Sequence, residues 1–315
     1  MRPAGSESQP YPVVAGERTP ASGVKVPEPR ANPGHPMAKF FDGLRRARLE
    51  HYAGRDHAAA GASKRRAVLT MVHNESVFLP IWLRYYSRFF APEDIHVLDN
   101  DSTDGSTGGA GFVRVPVAHD RVDWTWAVRT VEEYQHELLE RYDVVLVTDV
   151  DEIVAPDPEW GTLDEYLDRF DEEWVNCLGY ELLHLKEIEP PLNLDRPILD
   201  QRGYWYVNGA YDKPALATEP MSWTPGFHHR SDGRYHFDPD LRLIHLHRMD
   251  YDLCLAKHRL LRERAWSSED MTADRGTHNR IADEDAFERW FYEDSSSADV
   301  EIVVERIPPS WKGLF

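Results

Sequence analysis

A chain of 315 residues with a formal charge of −19 at neutral pH is long enough for one large domain or two small ones. It is too acidic to grip a phosphate backbone, which needs a basic face, so no nucleic-acid partner is expected. No apolar run approaches the roughly 20 residues that cross a bilayer and the amino terminus shows no hydrophobic signal core, which excludes a transmembrane segment and favours a cytoplasmic location.

The charge is uneven: residues 1–63 hold nine Lys or Arg against six Asp or Glu, leaving −22 on the remainder. Residues 1–36 carry eight of the 22 prolines without apolar periodicity, the pattern of a disordered leader. A short helix is possible from Pro36 to Ala60, with Phe40, Phe41, Leu44 and Leu49 on its apolar side. Residues 1–63 therefore stand outside the folded domain. Lys64-Arg65-Arg66 reads as a solvated flank to Ala67–Val72, a strand buried on both faces, which opens the folded domain over 64–250. After His73-Asn74-Glu75, the residues Phe78, Leu79, Trp82, Leu83, Tyr85 and Tyr86 recur at helical spacing, with Pro80 harmless in the first turn.

The next strand, Ile95–Leu98, stops at Asp99-Asn100-Asp101-Ser102-Thr103-Asp104-Gly105-Ser106. Counted from Asp99 or Asn100, the twelfth position is Ala110 or Gly111 where a calcium loop needs a bidentate Glu, so this is not an EF-hand. It remains a polar loop at a strand's carboxyl end. Phe112–Val115 reads as a short edge strand, and Val131, Tyr134, Leu138 and Tyr142 mark one face of a helix. Val144-Val145-Leu146-Val147 then runs through Thr148 into Asp149-Val150-Asp151-Glu152. If the strand continues to its acids, Asp149 and Asp151 share a face. Two carboxylates about 4 Å apart repel by roughly 4 kcal/mol at an effective dielectric near 20, and a hard divalent cation relieves this.

Thr162 with Glu165 forms a capping-box signature, and Trp174–Tyr180 reads as a strand. A Pro-rich loop over 184–203 is long enough to cover something. Tyr204–Val207 and Lys213–Leu216 bracket a hairpin-like return, and the aromatics Tyr204, Trp205, Tyr206, Tyr211 and Trp223 are buried core or sugar-stacking rings. His245 and His247 share one face of a strand over Leu241–His247. Helices follow over 252–266 and 284–292, with a strand at Val300–Val304; residues 251–315 form a helical tail packed on the domain. Cys177 and Cys254, without metal-ligand spacing, read as small buried hydrophobes. Strands alternating with helices imply parallel pairing and an α/β sandwich, whose ligand crevice lies beyond the strands' carboxyl ends. His73-Asn74-Glu75, Asp99 and Asp149/Asp151 each fall at such an end.

Taken together, His73-Asn74-Glu75 with Phe78–Leu83, Asp99–Ser106, and Asp149-Val150-Asp151-Glu152 resemble the glycosyltransferase family 2-like group over roughly residues 66–260. The resemblance implies a GT-A-like, Rossmann-type α/β/α sandwich with a mostly parallel central sheet. It further implies transfer of a sugar from a nucleotide-sugar donor, expected to be UDP-linked, to a hydroxyl acceptor. By resemblance, Asp149 and Asp151 form the Asp-x-Asp motif that holds Mn2+ or Mg2+ and, through it, the donor diphosphate. Asn74, Glu75, Asp99 and Asp104 line the donor pocket, His245 is the late metal ligand in preference to His247, and Gly226/His228 face the acceptor. An inverting enzyme also needs a base, for which Glu181, Asp212 and Asp232 are candidates. Two rival functions use the same acids: a non-catalytic nucleotide- or carbohydrate-binding protein, and a metal-dependent phosphohydrolase.

Overall fold

The computed structural model describes residues 64–159, 161–294 and 302–315; the leader and the helix anticipated over 36–60 lie outside them. The chain forms a mixed α/β fold around a 10-stranded sheet. Strands β1 (Arg66–Val72), β2 (Ile95–Asn100), β3 (Val113–Val117) and β4 (Val144–Val147) are all parallel and lie in the order β3-β2-β1-β4. After β3 the chain therefore crosses back over β1. A crevice opens where strand order reverses, at the carboxyl ends of β1 and β4.

Alternate residues of β1 serve opposite layers, as a period of two requires. Val68 and Val72 pack with helix α1 (Phe78–Tyr86) on one face, whereas Ala67 and Leu69 pack with helix α2 (Trp124–Leu139) on the other. Asp123 caps α2 by accepting from the Trp126 amide, and Thr162 with Glu165 closes the capping box of helix α3 (Leu163–Arg169). The edge position expected for the segment near 112–115 is occupied by β3.

Beyond β4 the pairing becomes largely antiparallel. Strand β8 (Pro214–Ala217) pairs with β4 and with β6 (Trp174–Leu182), and β7 (Tyr204–Val207) pairs with β6 and with β10 (Glu305–Arg306). Strand β9 (Phe237–His245) runs parallel to β6 and antiparallel to β5 (Glu152–Pro156). Helices α4 (Ile198–Gln201), α5 (Tyr251–Glu263), α6 (Ser268–Thr272) and α7 (Glu284–Glu293) complete the elements used below. Leu183, Leu185, Tyr204 and Tyr206 share an apolar cluster with Cys254 of α5 and Phe287, Trp290 and Phe291 of α7. Both cysteines are buried and free. Among the described residues no helix is long and apolar enough to cross a membrane.

Three local expectations are corrected. The run from Val144 to Glu152 is two strands, β4 and β5, joined by a turn closed by the Glu152 amide donating to the Asp149 carbonyl at 3.1 Å. Alternation along a strand therefore does not orient Asp149 and Asp151. Strands β7 and β8 are no hairpin, because both pair antiparallel with successive stretches of β6, Tyr180–Leu182 and Trp174–Asn176. The C-terminal strand is Glu305–Arg306, with residues 302–304 outside it; of the segment expected there, Val300 and Glu301 lie outside the described residues.

Between β7 and β8 the turn Gly209–Tyr211 crosses over Gly179 of β6. Its closeness requires glycine, since a Cβ there would sit 2.5 Å from the Asn208 carbonyl oxygen and 2.6 Å from the Tyr211 carbonyl carbon. Because those atoms are backbone, relief requires moving the whole turn. Gly179→Ala is expected to lower stability by about 1–3 kcal/mol, the usual cost of overpacking. The urea midpoint of the variant checks this, and an unchanged midpoint would show that the turn slides freely.

Candidate functional site

Helix α1 pins the turn that carries the acids. Trp82 Nε1 donates to Thr148 Oγ1 at 2.9 Å, Tyr85 OH donates to the Val154 carbonyl at 3.1 Å, and the Val154 amide donates to Tyr86 OH at 2.9 Å. Buried aromatic rings with satisfied polar tips fix both position and register. Within the turn the Asp149 amide donates to Glu152 Oε2 at 2.9 Å, and the Leu246 amide donates to the Asp151 carbonyl at 2.8 Å. That second bond sets Asp151 between His245 and His247.

The sheet register supplies the next layer. Glu152 of β5, His245 of β9 and Glu181 of β6 are successive cross-strand partners. His245 Nδ1 lies 2.8 Å from Glu181 Oε2, whose other oxygen accepts from the Arg248 amide at 3.2 Å. A carboxylate oxygen that accepts here fixes a His245 proton on Nδ1, so Nε2 is the nitrogen that would meet a metal ion, in place of the proton it can otherwise carry. That nitrogen is 3.8 Å from Asp151 Oδ2, and His247 Nδ1 is 3.9 Å from the same oxygen. The ligand atoms of Asp151, His245 and His247 all lie within 4.8 Å of one another. One oxygen and two imidazole nitrogens so spaced suit an ion held at about 2.0–2.2 Å from each, and the Glu181–His245 bond is the outer-shell contact that metal-binding histidines ordinarily make. Tyr211, in the turn over Gly179, stacks on His245 with ring centroids 4.0 Å apart.

Burial and neighbouring charges pull these groups in different directions. Burial would raise the Asp151 pKa, but Lys257 and His245 outweigh it and hold the group at about 2. Burial opposes protonation of His245, yet Glu181 and Asp151 raise its pKa above the ordinary value. Lys257 Nζ bridges Glu75 and Asp151, each at 3.2 Å, and Lys213 Nζ bridges Asp149 at 2.7 Å and Glu152 at 2.6 Å. Burial pushes Glu75 up to about 6, with Lys257 pulling the other way. His247 is driven well below its usual range by burial and by His258, whose Nε2 is 2.9 Å from its own.

A cavity of about 960 Å³ opens at this point, bordered by Glu75, Asp149, Asp151, His228, His245 and His247 among others. Gly226 and His228 both border it, and His228 Nδ1 donates to the Ala210 carbonyl at 2.6 Å. The remaining anticipated residues lie elsewhere. Asn74, at φ 57°, accepts from the Thr103 and Asp104 amides, and Asp104 accepts from the Ser76 amide. These contacts lock the β1 and β2 exit loops together. Asp99 is buried beneath them, accepting from the Ser102 amide, Thr107 Oγ1 and Arg114 Nε, while its neighbour Asn100 reaches the cavity.

Of the base candidates, Glu181 faces His245. Asp212 takes up a ladder position by accepting from the Gly179 amide at 2.8 Å, and burial raises its pKa to about 6. Asp232 pairs with Arg230 at 2.9 Å, away from the cavity wall. Sequence reasoning missed Lys213, Lys257 and the wall built by residues 264–279. The available signal was Lys257, Leu261 and Arg264 at i, i+4 and i+7, all of which border the cavity.

No family model matches the sequence, and no curated protein matches it. Among solved structures, the mannosyltransferase PcManGT from Pyrobaculum calidifontis, in complex with GDP-Man and Mn2+, is similar with a TM-score of 0.34 and 15% identity over 80% of this chain and 81% of that one.

The Glu181–His245 contact yields a test. Glu181→Gln is expected to weaken Mn2+ affinity about 10- to 100-fold, the usual cost of losing an outer-shell partner. Calorimetric titration with Mn2+ measures it, and an affinity equal to the unaltered protein would detach Glu181 from any metal role.

Proposed function

We propose that the chain is a divalent-metal-dependent glycosyltransferase that moves a sugar from a nucleotide-sugar donor to a hydroxyl acceptor. The observation that carries this reading is the Asp151–His245–His247 donor set in the wall of a cavity of about 960 Å³, large enough for a nucleotide sugar, at the reversal point of a parallel sheet. Two imidazoles beside one carboxylate favour Mn2+ over Mg2+, which prefers all-oxygen surroundings.

In the transfer, the acceptor hydroxyl oxygen bonds to the anomeric carbon while the bond from that carbon to the phosphate oxygen breaks. The bonding pair leaves with the nucleoside diphosphate, and the hydroxyl proton passes to a base on the cavity wall. A bound divalent ion supplies Lewis-acid stabilisation of the charge that grows on the leaving diphosphate. Asp151, His245 and His247 would hold that ion, Glu181 orients His245, and Tyr211 fixes the imidazole plane from the other side. Asp149, tied to Lys213, borders the same cavity and stands beside the donor. Lys257 limits repulsion between Glu75 and Asp151, so that both remain within reach of a donor.

A panel of UDP-, GDP- and ADP-linked sugars tests the reading. Slow, Mn2+-dependent release of nucleoside diphosphate is expected from at least one donor, abolished by EDTA. Asp151→Asn should reduce turnover about 100-fold or more, a loss of several kcal/mol of charge stabilisation, in a chain whose circular dichroism still shows the fold although loss of the buried pairing with Lys257 lowers its melting temperature. Release of nucleoside monophosphate or inorganic phosphate instead would make the protein a phosphohydrolase. Tight donor binding with no release would make it a binding protein.

A further inference from the structure

Five cationic side chains border the cavity among the described residues: Arg121, Lys213, Lys257, Arg264 and Arg275, with Arg264 distinct from the rest. Arg121 pairs with Asp120 at 2.7 Å, and Arg275 with Glu269 at 2.9 Å and Asp270 at 3.0 Å. Lys213 and Lys257 each bridge two carboxylates. Arg264 has no ion pair within 4.0 Å and no side-chain hydrogen bond among the described residues, although it is partly buried. A guanidinium stays charged at any physiological pH, so removing it from water without a partner costs free energy that an anionic ligand would recover.

Its placement narrows the ligand. Arg264 caps the carboxyl end of α5, one heptad after Lys257, and with Leu261 the three border the cavity in a line. Lys257 leads to Asp151 and so to the candidate metal position. Burial lowers the Arg264 pKa, and Glu75 offsets this only in part from beyond ion-pair range. Glu75 is itself bound to Lys257, so Lys257 and Arg264 act on the same carboxylate, one in contact and the other at longer range.

We infer that Arg264 is the cation that receives the diphosphate of the donor, on the side away from Asp151, His245 and His247. This rests on the glycosyltransferase reading and adds a specificity-determining residue to it. A guanidinium matches a phosphate with two parallel N–H bonds, which an ammonium cannot do, so arginine rather than lysine is the fitting residue.

The test is calorimetric binding of inorganic pyrophosphate, UDP, GDP, ADP and the corresponding nucleosides to the full chain in the presence of Mn2+. Arg264→Gln is expected to weaken pyrophosphate and the nucleoside diphosphate that binds by at least about tenfold, with Arg264→Lys intermediate. Mn2+ affinity and binding of the bare nucleoside should not change, and since Arg264 makes no ion pair, the melting temperature should not fall. If the unaltered chain binds the diphosphates and Arg264→Gln binds them equally well, the assignment to Arg264 is overturned while the glycosyltransferase reading stands. If the unaltered chain binds neither pyrophosphate nor any nucleoside diphosphate with Mn2+, both fall.

Discussion

Like charges gathered in a buried place dominate this structure. Glu75, Asp149, Asp151, Glu152 and Glu181 converge where the parallel strands end, and Lys213, Lys257 and Arg248 are the cations set against them. These charges sit in surroundings where each interacts several times more strongly than in water. Asp151 and Glu181 both make the His245 imidazole a favourable place for positive charge, which a proton supplies and which a metal ion at Nε2 would supply in its place. The fold thus aims these carboxylates at one imidazole.

Keeping those acids together requires a stiff frame, and the frame is mostly aromatic and backbone. Trp82, Tyr85 and Tyr86, on consecutive turns of a single helix, anchor the segment from Thr148 to Val154. On the other side, register alone places Glu152, His245 and Glu181 in a row across three strands. A slip of one residue in β9 would turn His245 to the opposite face, so the same pairing that stabilises the sheet specifies the site. Gly179 extends the dependence, since its missing side chain lets the Tyr211 turn settle onto His245.

Much of the parallel half was legible from the sequence because its signals are local. The apolar runs Ala67–Val72 and Ile95–Leu98, the helical aromatic spacing from Phe78, and the capping box at Thr162 are all recovered in the structure. Less legible is the setting of the polar groups, which depends on distant partners. The acids after Val147 read as a strand end, yet the bond from the Leu246 amide to the Asp151 carbonyl, between residues 95 positions apart, decides their setting. Glu181 and Asp212 have the residue type of a base, but cross-strand pairing commits one to His245 and the other to the Gly179 amide. Asn74, Asp99 and Asp104 sit at the strand ends where a ligand crevice was expected, and they use their oxygens to join loops. Nothing in the local sequence distinguishes a carboxylate that meets a ligand from one that satisfies backbone amides.

An acidic body and the anionic donor proposed for it are compatible because the relevant field is local. With −22 on the residues after 63, a sugar nucleotide would be repelled at long range, but at physiological salt such repulsion is screened beyond about 8 Å. Within that distance the donor would meet a cation between Asp151, His245 and His247 on one side and the α5 terminus on the other. The cavity wall is shared by the parallel strands and by residues 257–279, so the C-terminal helices form part of the site itself. Screening makes the acidic surface nearly neutral to the approaching donor, and burial strengthens the few cations it reaches.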